Sequence, residues 1–165
     1  MKNIILCGFM GCGKSTVGKE LAKLIGFSFI DMDEYIEKKA NMTVKEIFAK
    51  FGEAGFRDME HNACVELSKE KSRVIAAGGG TLTFQRNVNA LKENGVVILI
   101  DASYETLCER LKEDTQRPLL QCANRNEKIK ELLEKRLPLY KEASDVSVDG
   151  NNTPLNVAQS IINIL

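Results

Sequence analysis

Short apolar runs alternate with helix-like segments along the chain. The runs are continuous, as in strands that are buried on both faces of a sheet. They lie at residues 4–7, 27–30, 74–77, 96–100 and 146–148. Between them aliphatic residues recur at helical spacing, and Gly26 ends the first of these helices. This alternation predicts a parallel α/β sheet with helices on both faces, a fold that binds ligands at the carboxyl ends of its strands.

Some helix boundaries can be predicted from local patterns. Thr43 and Glu46 form a capping-box pattern, which predicts that a helix begins there. A longer, separate helix is expected from residue 53 or 54 to residue 69. Residues 114–126 contain a proline, mixed polar side chains and little periodicity, so they predict a long mobile loop.

Composition and charge exclude several classes of protein. The 165 residues carry 23 basic and 23 acidic side chains, so no positive surplus favours binding to nucleic acid or acidic membranes. The longest apolar runs are far too short to span a bilayer, and the apolar start lacks a signal-peptide cleavage site. Five cysteines at irregular spacings and a single histidine argue against structural zinc and for reduced thiols. We expect one domain over residues 1–165, a cytoplasmic monomer with no nucleic-acid or membrane partner.

A glycine-rich motif follows the first predicted strand. Residues 8–15 match the P-loop pattern G-x-x-x-x-G-K-[ST] and precede a predicted helix, as that phosphate-binding motif requires. Backbone N–H groups and the helix N-terminus would face the phosphates, Lys14 would supply a charge, and Ser15 a hydroxyl to Mg²⁺. The predicted nucleotide-binding residues are Gly11, Cys12, Gly13, Lys14, Ser15 and Thr16. The motif alone fits a kinase, a GTPase or a mechanical ATPase, although the sequence has no guanine-binding Asn-Lys-x-Asp segment.

Charged side chains and glycines mark the ends of the next two strands and the helix between them. Asp31 and Asp33 could support Mg²⁺ and an acceptor hydroxyl, or they could be a helix cap and a solvated acid. Arg57 and Glu60 are three residues apart on one helix face, where they could belong to a site or form a surface ion pair. The glycines at 78–80 could let backbone N–H groups approach a ligand, or they could form a plain loop.

Six segments occur in an order and at spacings that together resemble one known family. They comprise residues 8–16, 31–33, 51–53 with 56–60, 78–80, 117–120, and 136 with 138–140. The family is shikimate kinase, and the resemblance covers nearly the whole chain. The sequence departs from the family at Met32, where many relatives have threonine. It also departs at residues 151–153, where some relatives have an arginine in the adenine loop.

The resemblance implies a P-loop kinase core, an α/β fold of five parallel strands with helices on both faces. It also implies a small helical acceptor-binding subdomain at about residues 31–60 and a mobile lid at about residues 112–126. It implies that the γ-phosphoryl group of ATP is transferred to the 3-hydroxyl of shikimate, in aromatic amino-acid biosynthesis, with Mg²⁺ held by Ser15 and Asp31. The implied catalytic residues are Lys14, Asp33 and Arg117. The implied shikimate-binding residues are Asp33, Arg57, Gly78, Gly79, Gly80 and Arg136. The residues implied to contact ATP outside the P-loop are Arg110, Arg117 and the segment near Pro154.

The chemistry of the residues agrees with this resemblance. Shikimate carries a carboxylate, and the planar guanidinium forks of Arg57 and Arg136 suit such a group. A gluconate or nucleoside kinase with the same core is an alternative enzyme. A non-catalytic nucleotide-binding regulator is an alternative of another class, although such a protein would be expected to have an eroded P-loop.

Overall fold

The computed structural model describes residues 1–114, 120 and 122–165. They form a five-stranded parallel sheet with the strand order β2-β3-β1-β4-β5. The strands are β1 (Asn3–Cys7), β2 (Ser28–Asp31), β3 (Arg73–Ala76), β4 (Gly95–Asp101) and β5 (Val146–Asp149). The predicted parallel sheet is confirmed, although β2 lies one residue later and β3 one residue earlier than predicted. Because β1 lies between β3 and β4, the P-loop opens at the centre of the carboxyl edge.

Helices of the described part of the chain flank this sheet. They are α1 (Lys14–Ile25), α2 (Met32–Ala40), α3 (Val44–Ser68), α4 (Gln85–Lys92), α5 (Tyr104–Leu111), α6 (Arg125–Ala143) and α7 (Pro154–Ile164), with a 3₁₀ turn at Thr81–Thr83. Helix α1 packs on α7, α3 packs on both α2 and α4, and α5 packs on α6. None of the described helices is both long enough and apolar enough to cross a membrane.

Helix α3 joins two segments that the sequence predicts as separate helices. The Thr43 side chain accepts a hydrogen bond from the Glu46 N–H at 3.1 Å, as the capping box predicts. At Gly52 the backbone leaves helical geometry, with φ at 70° and ψ at −178°, a region that favours glycine. The predicted separation is therefore a kink within one helix rather than a loop.

The hydrophobic core is built around the two central strands. All five residues of β1 are buried, and residues 97–100 of β4 are at most 1% exposed. Burial of each large aliphatic side chain contributes roughly 1.5–3 kcal/mol to folding. The strand ends that carry the candidate site therefore rest on the most firmly packed part of the molecule.

Candidate active site

A cavity of about 480 Å³ opens at the carboxyl edge of the sheet. Its lining comprises residues 10–17, Asp31, Asp33, residues 76–79, Arg110, Asn152, Pro154 and Val157. The cavity thus connects the P-loop with both aspartates and with the start of the glycine segment. The structure places the residues predicted for the nucleotide in one cavity with Asp33, Gly78 and Gly79 of the predicted acceptor residues. Arg57, Gly80 and Arg136 are not part of this lining and adjoin it through the glycine segment.

The P-loop leads directly into the first turn of α1. The N-cap residue is Gly13, which has no side chain to accept a hydrogen bond from the first turn of the helix. The N–H groups of that turn are therefore left to face the cavity. The Thr16 hydroxyl donates to the Gly13 carbonyl at 3.1 Å. The Lys14 ammonium donates to the carbonyl of Gly8 at 2.5 Å and to that of Phe9 at 3.3 Å. These contacts hold the cationic group against the loop that was predicted to bind phosphate.

Ser15 and Asp31 meet across the cavity floor. The Ser15 hydroxyl donates to Asp31 Oδ2 at 2.9 Å, and Asp31 Oδ1 accepts from the Glu34 N–H at 3.2 Å. Asp31 is therefore the N-cap of α2, as one alternative proposed, and is also a partner of the P-loop hydroxyl. A hydroxyl and a carboxylate at this distance are hard oxygen donors of the kind that Mg²⁺ prefers. The residues present fit that ion.

Asp33 faces the cavity with a carboxyl group that is unusually basic. The surrounding protein withdraws bulk water from the carboxylate, and the negative charges of Asp31 and Glu60 add to this effect. Together they raise the pKa of Asp33 to about 6, against a partial opposing effect of Lys14. Part of the residue's surface stays open to the cavity even though protein surrounds the carboxylate. A ligand in the cavity can therefore reach this carboxylate, which accepts a proton near pH 6.

Arg57 is held rigidly by its neighbours. Its Nη1 atom lies 3.0 Å from Glu60 Oε1, and the guanidinium carbon lies 5.4 Å and 5.1 Å from the ring centroids of Phe56 and Phe84. The side chains of Arg57 and Glu60 are only 17% and 1% exposed, so the surface ion-pair alternative is wrong. Arg57 Nε is buried without a hydrogen-bond partner among the described residues. A buried donor without a partner costs free energy and suits a ligand oxygen.

The glycine segment brings the acceptor residues together. A Cβ atom on Gly78 would lie 3.1 Å from Asp33 Oδ1, and one on Gly79 would lie 3.2 Å from Arg136 Nη1. A Cβ atom on Gly80 would lie 2.7 Å from Arg57 Nη2. A side chain at these positions would crowd three charged groups, so the glycines let the backbone come close to Asp33, Arg57 and Arg136. That this backbone also contacts a ligand stays a prediction.

The two remaining predicted arginines are placed differently. Arg110 donates to the carbonyls of Gly11 and Cys12 at 3.2 Å and to the Gly150 carbonyl at 2.9 Å. It lies in the cavity wall beside Asn152 and Pro154, where the adenine contact was expected. Arg117 lies outside the described residues, as do residues 115, 116, 118, 119 and 121 of the predicted lid.

Sequence reasoning named Glu60 and the segment 138–140 but did not predict the polar contacts beneath the glycine segment. Buried Glu60 Oε2 accepts from the Thr81 hydroxyl at 2.8 Å, and the Asn87 amide donates to the Thr81 carbonyl at 2.9 Å. The Tyr140 hydroxyl donates to the Gly79 carbonyl. One available signal was the position of Asn87 beside Val88 on the apolar face of α4; another was the position of Tyr140 one helical turn after Arg136.

Comparisons with known proteins agree on one family. A family model described as shikimate kinase matches residues 10–165. The shikimate kinase of Thermodesulfovibrio yellowstonii is 50% identical over 98% of this chain and 94% of its own length. A solved shikimate kinase from Acinetobacter baumannii, in complex with shikimate, is 40% identical, with a TM-score of 0.93 over 99% of this chain and 92% of that one. The solved shikimate kinase of Aquifex aeolicus is 36% identical, with a TM-score of 0.86 over 98% and 94%. The chain therefore belongs to the shikimate kinase family.

Proposed function

We propose that the chain transfers the γ-phosphoryl group of ATP to the 3-hydroxyl of shikimate and releases ADP and shikimate 3-phosphate. The observation that supports this most strongly is the glycine segment, which sits between a cavity containing the P-loop and two arginines that face its backbone. A nucleoside monophosphate has no carboxylate for Arg57 and Arg136 to bind, whereas gluconate has one and must be distinguished from shikimate by the assay below. The reaction needs positioning and charge stabilisation more than covalent chemistry.

We assign recognition of the acceptor carboxylate to Arg57 and Arg136. Both guanidinium groups reach the glycine segment, at Gly80 and Gly79 respectively. The buried Nε of Arg57 gains a partner when a carboxylate oxygen binds there. Glu60 and the two aromatic rings keep the fork of Arg57 in place before the acceptor arrives, so little side-chain entropy is lost on binding.

The transfer step is assigned to Asp33 and Lys14. Asp33 accepts a hydrogen bond from the acceptor hydroxyl and, with a pKa of about 6, takes its proton as the new bond to phosphorus forms. Lys14 moves from the carbonyls of Gly8 and Phe9 to the β and γ phosphates, where its charge stabilises the transition state. Ser15 and Asp31 would hold Mg²⁺, which supplies neutralisation of phosphate charge when bound.

The roles of the other predicted residues stay predictions. Arg117 is expected to stabilise the transferred phosphoryl group from the lid, and Arg110 to border the adenine. The single-domain organisation, the monomeric state and the cytoplasmic location are likewise predictions.

An assay of ADP release with several acceptors tests the proposed function. Purified protein with ATP and Mg²⁺ is incubated with shikimate, gluconate or nucleoside monophosphates, and products are identified by mass spectrometry. We expect acceptor-dependent ADP release with shikimate alone. Phosphorylation of a nucleotide or of gluconate but not of shikimate would identify the alternative enzyme. Binding of ATP with no turnover of any acceptor would favour the regulator.

Replacing Arg57 by alanine should weaken acceptor binding selectively. Loss of a charge-assisted, bidentate contact is expected to raise the KM for shikimate about 10- to 100-fold and to change the KM for ATP by less than about twofold. Steady-state kinetics with each substrate varied separately measure both values. Arg73→Ala is the matched control, because Arg73 pairs with Glu70 at the opposite end of β3. A parallel rise in the KM for ATP would contradict the acceptor assignment.

A further inference from the structure

Tyr140 occupies an unusual position behind the acceptor site. It lies in α6, its side chain is 1% exposed, and its hydroxyl donates a hydrogen bond to the Gly79 carbonyl. Burial raises the pKa of this phenol, so the group stays a neutral donor. The partners are 61 residues apart in sequence, so the bond ties the last turn of α6 to the loop that follows β3.

The same helix supplies Arg136, one turn before Tyr140. Side chains four residues apart lie on one face of a helix, and the Arg136 Nη1 atom lies 3.2 Å from the position of a Gly79 Cβ atom. Gly79 is therefore bonded to α6 at its carbonyl oxygen, and the Arg136 guanidinium lies beside its α carbon. One helix, which contains Pro138 between the two residues, places both the acceptor-binding arginine and the donor that orients the adjoining backbone.

The orientation of this peptide has chemical consequences. The Gly79 carbonyl and the Gly80 N–H belong to one planar trans peptide group, since the described residues contain no cis peptide, and they point in opposite directions. When Tyr140 fixes the carbonyl toward α6, the Gly80 N–H must point away from α6. A glycine segment without such a restraint could rotate this peptide at little steric cost.

We propose that Tyr140 is a positioning residue for the acceptor: its hydroxyl fixes the Gly79–Gly80 peptide beside Arg136, so that the glycine segment and the guanidinium group meet the acceptor in one fixed arrangement. The inference rests on the proposed acceptor site and extends it to a residue that does not touch the acceptor. It predicts that loss of one buried oxygen atom affects one substrate and not the other.

The variant Tyr140→Phe tests this role, because it removes the hydroxyl and keeps the ring that fills the core. We expect the KM for shikimate to rise about fivefold, because one hydrogen bond that orients the site is lost. The KM for ATP should stay within about twofold of the wild-type value. The upward shift in the melting temperature produced by saturating shikimate should shrink as well, while the shift produced by ATP should not.

Tyr35→Phe is the matched control. The Tyr35 hydroxyl donates to Glu66 Oε2 at 2.6 Å, between α2 and α3, so this variant also loses one hydrogen bond but should keep the wild-type KM for shikimate within about twofold.

Three outcomes would overturn the inference. The first is an unchanged KM for shikimate in Tyr140→Phe, and the second is a parallel rise of both KM values. The third is a Tyr140→Phe protein that melts at a lower temperature than wild type but whose melting temperature rises by the same amount when shikimate binds. Absence of shikimate turnover in the wild type would overturn the proposed function together with this inference. An active wild type with an unaffected Tyr140→Phe variant would overturn the inference alone.

Discussion

Replacing Asp33 by asparagine is expected to lower kcat at least about a hundredfold, because proton transfer by a positioned side chain contributes about 10²–10⁴ to such rates. Asparagine keeps the shape and an acceptor oxygen but cannot take the proton of the acceptor hydroxyl. Measurement of ADP release with saturating ATP and shikimate gives kcat directly. Asp58→Asn is the matched control, because Asp58 is exposed and, among the described residues, forms an ion pair with Arg86 alone. A kcat within about tenfold of wild type would leave Asp33 as an anchor of the acceptor only.

The raised pKa of Asp33 gives this prediction a pH dependence. In the wild type kcat/KM for shikimate should fall as the pH drops through about 6, where the carboxylate of the free enzyme becomes protonated. The stability of the protein should change with pH in the opposite direction from the rate. The folded-state pKa lies above the ordinary value of 3.8, so the folded protein binds the proton more tightly, and the free energy of unfolding declines as the pH rises from about 4 to about 6. Above that window Asp33→Asn should be more stable than wild type by about 1 kcal/mol, a modest gain because solvent in the cavity screens the repulsion.

Urea unfolding of both proteins at several pH values measures this difference. A variant that is less stable than wild type above pH 6, or a wild-type profile without a decline in rate near that pH, would contradict the electrostatic description of the site.

Replacing Lys14 by methionine is expected to lower kcat about a thousandfold, the upper range for removal of one group that stabilises developing charge. Methionine is similar in length and unbranched, so the main change is loss of the charge and of the donors to Gly8 and Phe9. The KM for ATP should change much less, because the backbone of the P-loop and the N-terminus of α1 keep their contacts with the phosphates. Single-turnover measurements with saturating ATP separate the chemical step from binding.

Lys19→Met is the control for Lys14→Met. Lys19 lies on the same helix, is exposed and sits 5.9 Å from the Phe29 ring centroid, outside the cavity lining. Its kcat should equal that of wild type. A Lys14→Met enzyme that retains more than about a tenth of the wild-type kcat would show that the charge at this position is not essential to the transfer.

Strands could be predicted where burial alone determines their pattern. The central strands β1 and β4 are buried along almost their whole length, and their apolar runs lie within the strands, short of an end by at most one residue. The edge strand β2 is half-buried or exposed at every position, and its apolar run is displaced by one residue. The run of β3 is displaced by one residue as well, although that strand is mostly buried, so burial does not determine the strand ends. The strand order depends on contacts between distant segments, which no local pattern encodes.

The candidate site divides in the same way. Lys14, Ser15 and Asp31 are adjacent in sequence to strand ends, so topology alone brings them to one edge. The spacing of Arg57 and Glu60 predicts a shared helix face but not that the face is buried, because burial depends on α4 and on the loop after β3. The partner of Tyr140 lies on another element far away in sequence, and neither a helical pattern nor a motif could reveal it.

Glu60, the one buried glutamate among the described residues, connects two properties of the proposed site that are usually tuned independently, affinity and reactivity. Glu60 fixes the guanidinium of Arg57 at 3.0 Å, and its charge also helps to raise the pKa of Asp33. Any change at Glu60 therefore alters the grip on the acceptor and the strength of the base at once. At this position neither selection nor an engineer can adjust one without disturbing the other, although the pKa of Asp33 also responds to its burial and to Asp31. A change of acceptor would need compensating substitutions near Asp33, which makes this corner of the molecule an evolutionary constraint as well as a binding site.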